Sequence, residues 1–136
     1  QVPAPTINIT GRNLYITGIR VDAVNIGAAV ATTASVLQWS LAYGASGGTV
    51  PSLAQAESGS FTTATAKAWR RVPLGLQGWA VGAAIGASGA PIEMQFETPY
   101  VVRPGEWVAS VAKFLVGTAT ASQVIWATVT INGYYE

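Results

Sequence analysis

The sequence predicts an all-β fold, a jelly-roll β-sandwich of about eight antiparallel strands preceded by an extended N-terminal arm. Three observations lead there. Apolar residues alternate with period two in stretch after stretch. Clusters of Gly, Pro, Asn and Ser separate those stretches. No repeat of roughly 20 to 50 residues points to a solenoid or propeller instead.

Taken in order, the opening QVPAP carries two prolines, which disfavour both helix and central strand. Residues 1–10 are therefore expected as an extended arm and residues 11–136 as a single jelly-roll domain. The TINIT that follows the prolines offers the β-branched Thr6, Ile7 and Ile9 for addition to a neighbouring sheet. Next, Leu14 and Ile16 share one parity while Ile19, Val21 and Ala23 share the other, so a β-bulge is expected at Gly18. SVLQWSLAY turns Leu37, Trp39, Leu41 and Tyr43 to one face. The one helix the sequence offers is a short turn at SLAQAE, where Ser52 and Gln55 have capping-box spacing.

GWAVGAAIG contains Gly78, Gly82 and Gly86 in a doubled G-x-x-x-G, which raises the possibility of a membrane helix. Parity argues for a strand instead, with Trp79, Val81, Ala83 and Ile85 on a bulky face and small residues opposite. PIEMQFE alternates cleanly, with Ile92, Met94 and Phe96 inward. In TPYVVRPGEWVASV, Pro99 is expected to start a short strand, Pro104-Gly105 to turn it, and a long strand to follow from Glu106. That strand is apolar on nearly both faces, which fits a central or covered position. QVIWATVTING buries Ile125, Ala127, Val129 and Ile131 and leaves Trp126 among threonines. An immunoglobulin-like sandwich is the structural runner-up, weakened by the absence of a Cys–Trp–Cys framework.

Composition narrows the function. The chain has 136 residues, 50% of them hydrophobic and only 10% charged, against about a quarter charged in ordinary soluble domains. So little charge points to an interface, a shell or an assembly. A net charge of +1 gives no basic surface for nucleic acid. No charged n-region with an apolar core follows Gln1, so no signal peptide is expected in it.

Tests for catalysis fail, and no enzyme is expected. GASGG formally matches G-x-S-x-G at Ser46, but the chain has no histidine to act as base. Glu93 and Glu97 on an extended strand lie about 13 Å apart, beyond the roughly 5 to 9.5 Å of glycosidase pairs. With neither His nor Cys and no acidic loop motif, no metal or other cofactor is expected. NIT at Asn8 matches a glycosylation sequon, a weak three-residue signal.

The basic residues Lys67, Arg70 and Arg71 stand out in so neutral a chain. On a strand, Arg70 and Arg71 point to opposite faces. One is expected to pair with a strand-borne carboxylate, Asp22, Glu93 or Glu97, because a charge facing a layer needs a partner. The other, with Trp69, is a candidate anchor for another protein. Trp126, Tyr134 and Tyr135 are further candidates, for a protein interface or as platforms for a sugar.

The segments NLYITGIRVDAVNIGAAVATT, AKAWRRVPLGLQ, VVRPGEWV and GTATASQVIWATVTINGYYE, in that order, carry a resemblance along most of the chain. It resembles the small phage-encoded jelly-roll proteins that serve as cement, or decoration, proteins on tailed-phage heads, as in a Bordetella podophage. The resemblance implies a homodimeric jelly roll on the outer surface of an HK97-like head, made in the bacterial cytoplasm. It implies contact with the major capsid protein and bridging of neighbouring subunits without covalent links. It implies no catalytic residues, no nucleic acid and no membrane. A carbohydrate- or receptor-binding jelly roll of a tail or fibre remains the alternative, with a hydrolase of unrecognised carboxylate site a distant third.

The low charge fraction and the two-sided apolar strand at GEWVASVAKFLVG predict self-association, most simply as a dimer. Sedimentation at micromolar concentration is expected to show it. A monomer at every concentration contradicts the inference.

Overall fold

The computed structural model describes residues 5–27, 34–46, 69–116 and 124–136. These form an all-β sandwich of two antiparallel sheets. The strands are β1 (Thr6–Ile7), β2 (Leu14–Asn25), β3 (Ser35–Ser46), β4 (Arg70–Trp79), β5 (Ile92–Val102), β6 (Glu106–Val116) and β7 (Ile125–Tyr135). One sheet has the order β1-β6-β3-β4 and the other β5-β2-β7. Strands pair from the outside of the sequence inward, β2 with β7 and β3 with β6, in the manner of a jelly-roll ribbon wound on itself. Among the described residues there is no helix, and SLAQAE lies outside them.

The core is the set of inward parities. Leu37, Trp39, Leu41 and Tyr43 of β3 pack against Ile16, Ile19, Val21 and Ala23 of β2. Ile92, Met94 and Phe96 of β5 close one side, and Ile125, Ala127, Val129 and Ile131 of β7 the other. The expected bulge is present: pairing of β2 with both its neighbours shifts between Ile16 and Gly18. A second, smaller cluster lies on the outer face of the four-stranded sheet, where Trp69 covers Ala42, Ala45, Ala109 and Val111. This cover explains why β6 is apolar on both faces.

Three expectations are corrected. GWAVGAAIG is not a strand. β4 ends at Trp79, and two consecutive turns follow, closed by Ala83 N to Ala80 O at 3.0 Å and Ala87 N to Ala84 O at 3.1 Å. Gly82 and Gly86 occupy the third turn positions with φ of 83° and 89°, the left-handed conformation that a type II turn requires there. The four-residue glycine spacing is the period of two turns. Second, Pro99 does not begin a separate strand. β5 runs through it, and residues 96–99 bulge where pairing passes from Gln95–Gly18 to Tyr100–Ile16. Merging those segments gives seven strands, not eight. The Pro104-Gly105 turn does form, with Gly105 at φ 77° and Glu106 N bonded to Arg103 O at 3.0 Å.

Third, the expected arm is docked on its own chain from Thr6 onward. Thr6 and Ile7 pair with Val108 and Trp107 of β6, so the strand-adding tendency of TINIT is met within the molecule. Asn8 locks that contact. Its Nδ2 donates to Arg12 O at 2.8 Å and to Val102 O at 2.9 Å. Its backbone bonds Glu106 O and Gly105 N. A buried amide with its nitrogen so engaged has no room for a glycan, which removes the sequon from consideration.

Replacing Asn8 by alanine leaves the Val102 and Arg12 carbonyls without their donor and is expected to cost about 1–3 kcal/mol of stability. Ile9, at 80% exposure, is the control. Ile9→Ser is expected to stay within about 0.5 kcal/mol of the parent in denaturant unfolding.

Candidate interaction surfaces

The two ends of the sandwich differ in charge. At one end lie Arg12, Arg103 and Glu106 with the start of β4 at Arg70 and Arg71, and Glu136 bonded to Asn13. Arg70 spreads over the Tyr43 ring, its guanidinium carbon 4.4 Å from the ring centroid. Gly44 beside it has φ of 78°, and a Cβ there would collide with the guanidinium. From that position Arg70 Nη2 lies 3.8 Å from Glu106 Oε2, with side-chain exposures of 49% for the arginine and 5% for the glutamate. The same carboxylate oxygen accepts the Arg103 N–H at 2.9 Å.

One arginine thus has the expected buried carboxylate partner, but it is Glu106. The strand-borne acids proposed from sequence are elsewhere: Asp22 pairs with Arg20 at 2.8 Å, Glu93 lies 3.7 Å from Arg20, and Glu97 is exposed on β5. Chain parity cannot reveal Glu106, because it reaches Arg70 through the β3–β6 pairing, where it stands opposite Ser46. Arg71 is also exposed and stands opposite Ala42. Trp69 is not an exposed anchor. It is buried at 6% exposure as the cover of the small second cluster.

At the opposite end, three uncharged stretches of sequence, 23–56, 72–92 and 114–135, come together. β2 ends there at Asn25, β3 begins at Ser35 opposite Trp79, and β6 ends at Val116 opposite Val36. Ile26 N bonds Val124 O at 2.8 Å. The double turn after Trp79 is tied to this end by Gly86 N to Asn25 O at 2.8 Å. The large apolar side chains Ile26, Val81, Ile85, Leu115, Val116 and Val124 are all exposed here, Ile85 at 69%. Sequence reasoning missed this surface. Its signal was the three charge-free stretches, but only the topology brings them to one end.

The aromatic candidates of β7 do not form one platform. Trp126 and Tyr134 lie on the outer face, eight positions or about 27 Å apart. Tyr134 stacks on Tyr15 with ring centroids 5.1 Å apart and planes at 7°. Tyr135, half-exposed, stands opposite Leu14. Trp126, 49% exposed, borders a cleft with Asp22, Thr128, Ser88 and Pro91.

Among the described residues, no three His, Cys, Asp or Glu side chains are grouped to hold a metal ion. No described helix is long and apolar enough to cross a membrane. No family model matches the chain, and neither a curated protein nor a solved structure matches it.

Arg70→Ala is expected to lower stability by about 1–2 kcal/mol, the sum of a half-exposed ion pair and a cation–π contact. Arg70→Lys keeps the charge but not the planar stacking over Tyr43, and regains less than half of that loss. Arg71→Ala is expected within about 0.5 kcal/mol of the parent. Equal losses for Arg70→Ala and Arg71→Ala in thermal unfolding contradict the assignment.

Proposed function

We propose that the protein is a non-enzymatic decoration protein that binds the outside of an HK97-like phage head and bridges neighbouring major capsid proteins. The observation that carries this reading is the uncharged end of the sandwich, where six large apolar side chains are exposed together. A free monomer rarely keeps such a surface in water, and contiguous exposed apolar area marks a protein contact. The resemblance of the segments quoted above supplies the kind of partner. It also supports a homodimer on the outer surface of the virion.

A dimer presents this end twice. Two modest contacts to one lattice then reinforce each other, because the second forms at high effective concentration once the first is made. The same logic explains why no single residue cluster needs strong chemistry. Exposed aromatic residues on β7 favour a second reading, a carbohydrate- or receptor-binding domain of a tail or fibre.

Purified heads should carry the protein at a stoichiometry commensurate with the major capsid protein. Heads stripped of it are expected to rupture at lower temperature, and adding it back should restore them. The double substitution Val81→Asp with Ile85→Asp changes only exposed turn positions and should leave the sandwich folded while lowering occupancy on heads at least tenfold, about 1.4 kcal/mol. Equal robustness of stripped and decorated heads, or location on the tail alone, overturns the proposal.

A further inference from the structure

We propose that the cleft between Trp126 and the Ser88–Pro91 segment, with Asp22 at its base, binds a neutral saccharide. The site is separate from the apolar end and does not depend on whether the protein sits on a head or a fibre.

The cleft measures about 340 Å³, at the small end of the roughly 300–1,000 Å³ usual for small-ligand sites. Its two walls differ in kind. One is the half-exposed indole of Trp126, a flat apolar surface with a polar edge. The other is the backbone from Ser88 to Pro91, which is held in place by the fold. Gln77 Nε2 donates to Ala90 O at 2.6 Å, Trp79 Nε1 to Ala87 O at 3.0 Å, and Gly89 N to Ala23 O at 3.0 Å. Ser88 forms a β-bridge with Val24. Such a wall needs no ordering on binding, which lowers the entropic cost of taking a ligand.

The floor supplies hydrogen bonding. Arg20 Nε donates to Asp22 Oδ2 at 2.8 Å and its Nη2 to Oδ1 at 3.0 Å. The carboxylate is therefore fixed in orientation, and each oxygen retains a lone pair for a ligand hydroxyl. That hydrogen bond, above all, also holds the Asp22 carboxyl below its ordinary range, so the acceptor stays ionised in mild acid. Thr128, opposite Asp22 on β7, adds a hydroxyl that both donates and accepts.

Charge selects among ligands. Arg20 faces two carboxylates, Asp22 and Glu93, so the local sum is negative and repels anionic sugars, phosphates and nucleic acid. Apolar peptides are disfavoured by the desolvation of Asp22. A neutral sugar suits both halves of the site: its C–H face lies against the indole while vicinal hydroxyls reach the carboxylate and Thr128.

The test is nuclear magnetic resonance of the full chain, following the Trp126 indole and Thr128 amide signals. The probes are maltotriose, cellotriose, chitotriose, mannotriose and lactose, with sialyllactose as the anionic control. At least one neutral probe is expected to give saturable shifts at this site, with sialyllactose binding more weakly than lactose. Trp126→Ala is expected to abolish the shifts of Thr128. Asp22→Asn, which keeps an acceptor for Arg20, should weaken binding about tenfold. Tyr134→Ala should bind as the parent does. Absence of shifts with every neutral probe overturns the proposal. So do Thr128 shifts that survive Trp126→Ala, or shifts that follow protein concentration instead of sugar. Because no capsid enters this measurement, its failure leaves the decoration reading standing.

Discussion

The bulge in β2 is the constraint on which both faces of the molecule depend. β2 is the middle strand of its sheet and pairs with β5 on one side and β7 on the other. Side chains along a strand alternate, so an unbroken β2 would expose either Leu14 and Ile16 or Ile19, Val21 and Ala23. The shift between Ile16 and Gly18 turns both sets inward, and both neighbouring strands change register at the same place. Ile16, Ile19 and Val21 are thereby removed completely from solvent. Losing burial of one such side chain costs about 1.5–3 kcal/mol, so a slipped register would forfeit more than most domains can spare. The same shift sets the outer face. Arg20, Asp22 and Val24 emerge beside Thr130, Thr128 and Trp126, and the cleft exists only in that register.

The ends of the sandwich meet a different requirement, that chain reversals leave no buried backbone group unpaired. At the charged end, side chains do much of this. Asn8 bonds the Val102 carbonyl and the Glu106 carboxylate bonds the Arg103 N–H, which brings a buried charge and hence a need for Arg70. At the apolar end the backbone largely satisfies itself. The two glycine turns close their own bonds, and Asn25, Gly86 and Ala87 exchange main-chain bonds across the sheets. Asn25 is the buried polar side chain there. An end organised in this way requires no charged side chains and can present apolar ones outward. The segregation of charge follows from two solutions to one problem.

Much of this was legible along the chain. Wherever a strand has one inner and one outer face, alternation shows it, as in Leu37–Tyr43, Ile92–Phe96 and Ile125–Ile131. Even the bulge at Gly18 was visible as a change of parity. What was not legible depended on backbone conformation or on pairing. Trp79–Ile85 alternates as a strand does, yet Gly82 and Gly86 take positive φ and fold it into turns. Trp69 has the composition of an interface anchor, but the alanines it covers are distant in sequence. Arg70 finds Glu106 through two strand pairings that no local spacing encodes. TINIT has the character of an added strand, and only the docked structure shows that the sheet it joins is its own.

Function was less legible than fold for a physical reason. A catalytic site requires particular groups at fixed separations, and those leave motifs. Binding through apolar area requires only that large side chains be exposed together, and any mixture of Ile, Val and Leu will serve. The six apolar residues at the uncharged end come from four different parts of the chain, so no contiguous segment records them. The Trp126 cleft lies between these extremes. It needs an aromatic face, a fixed carboxylate and a hydroxyl, but strand pairing sets their spacing, with Asp22 and Thr128 more than a hundred positions apart. A sandwich of this kind can therefore carry two binding surfaces while its sequence reads as almost pure framework. Its scarcity of charge is the one compositional trace of the larger surface, because that end stays apolar only where Lys, Arg, Asp and Glu are kept from every segment that reaches it.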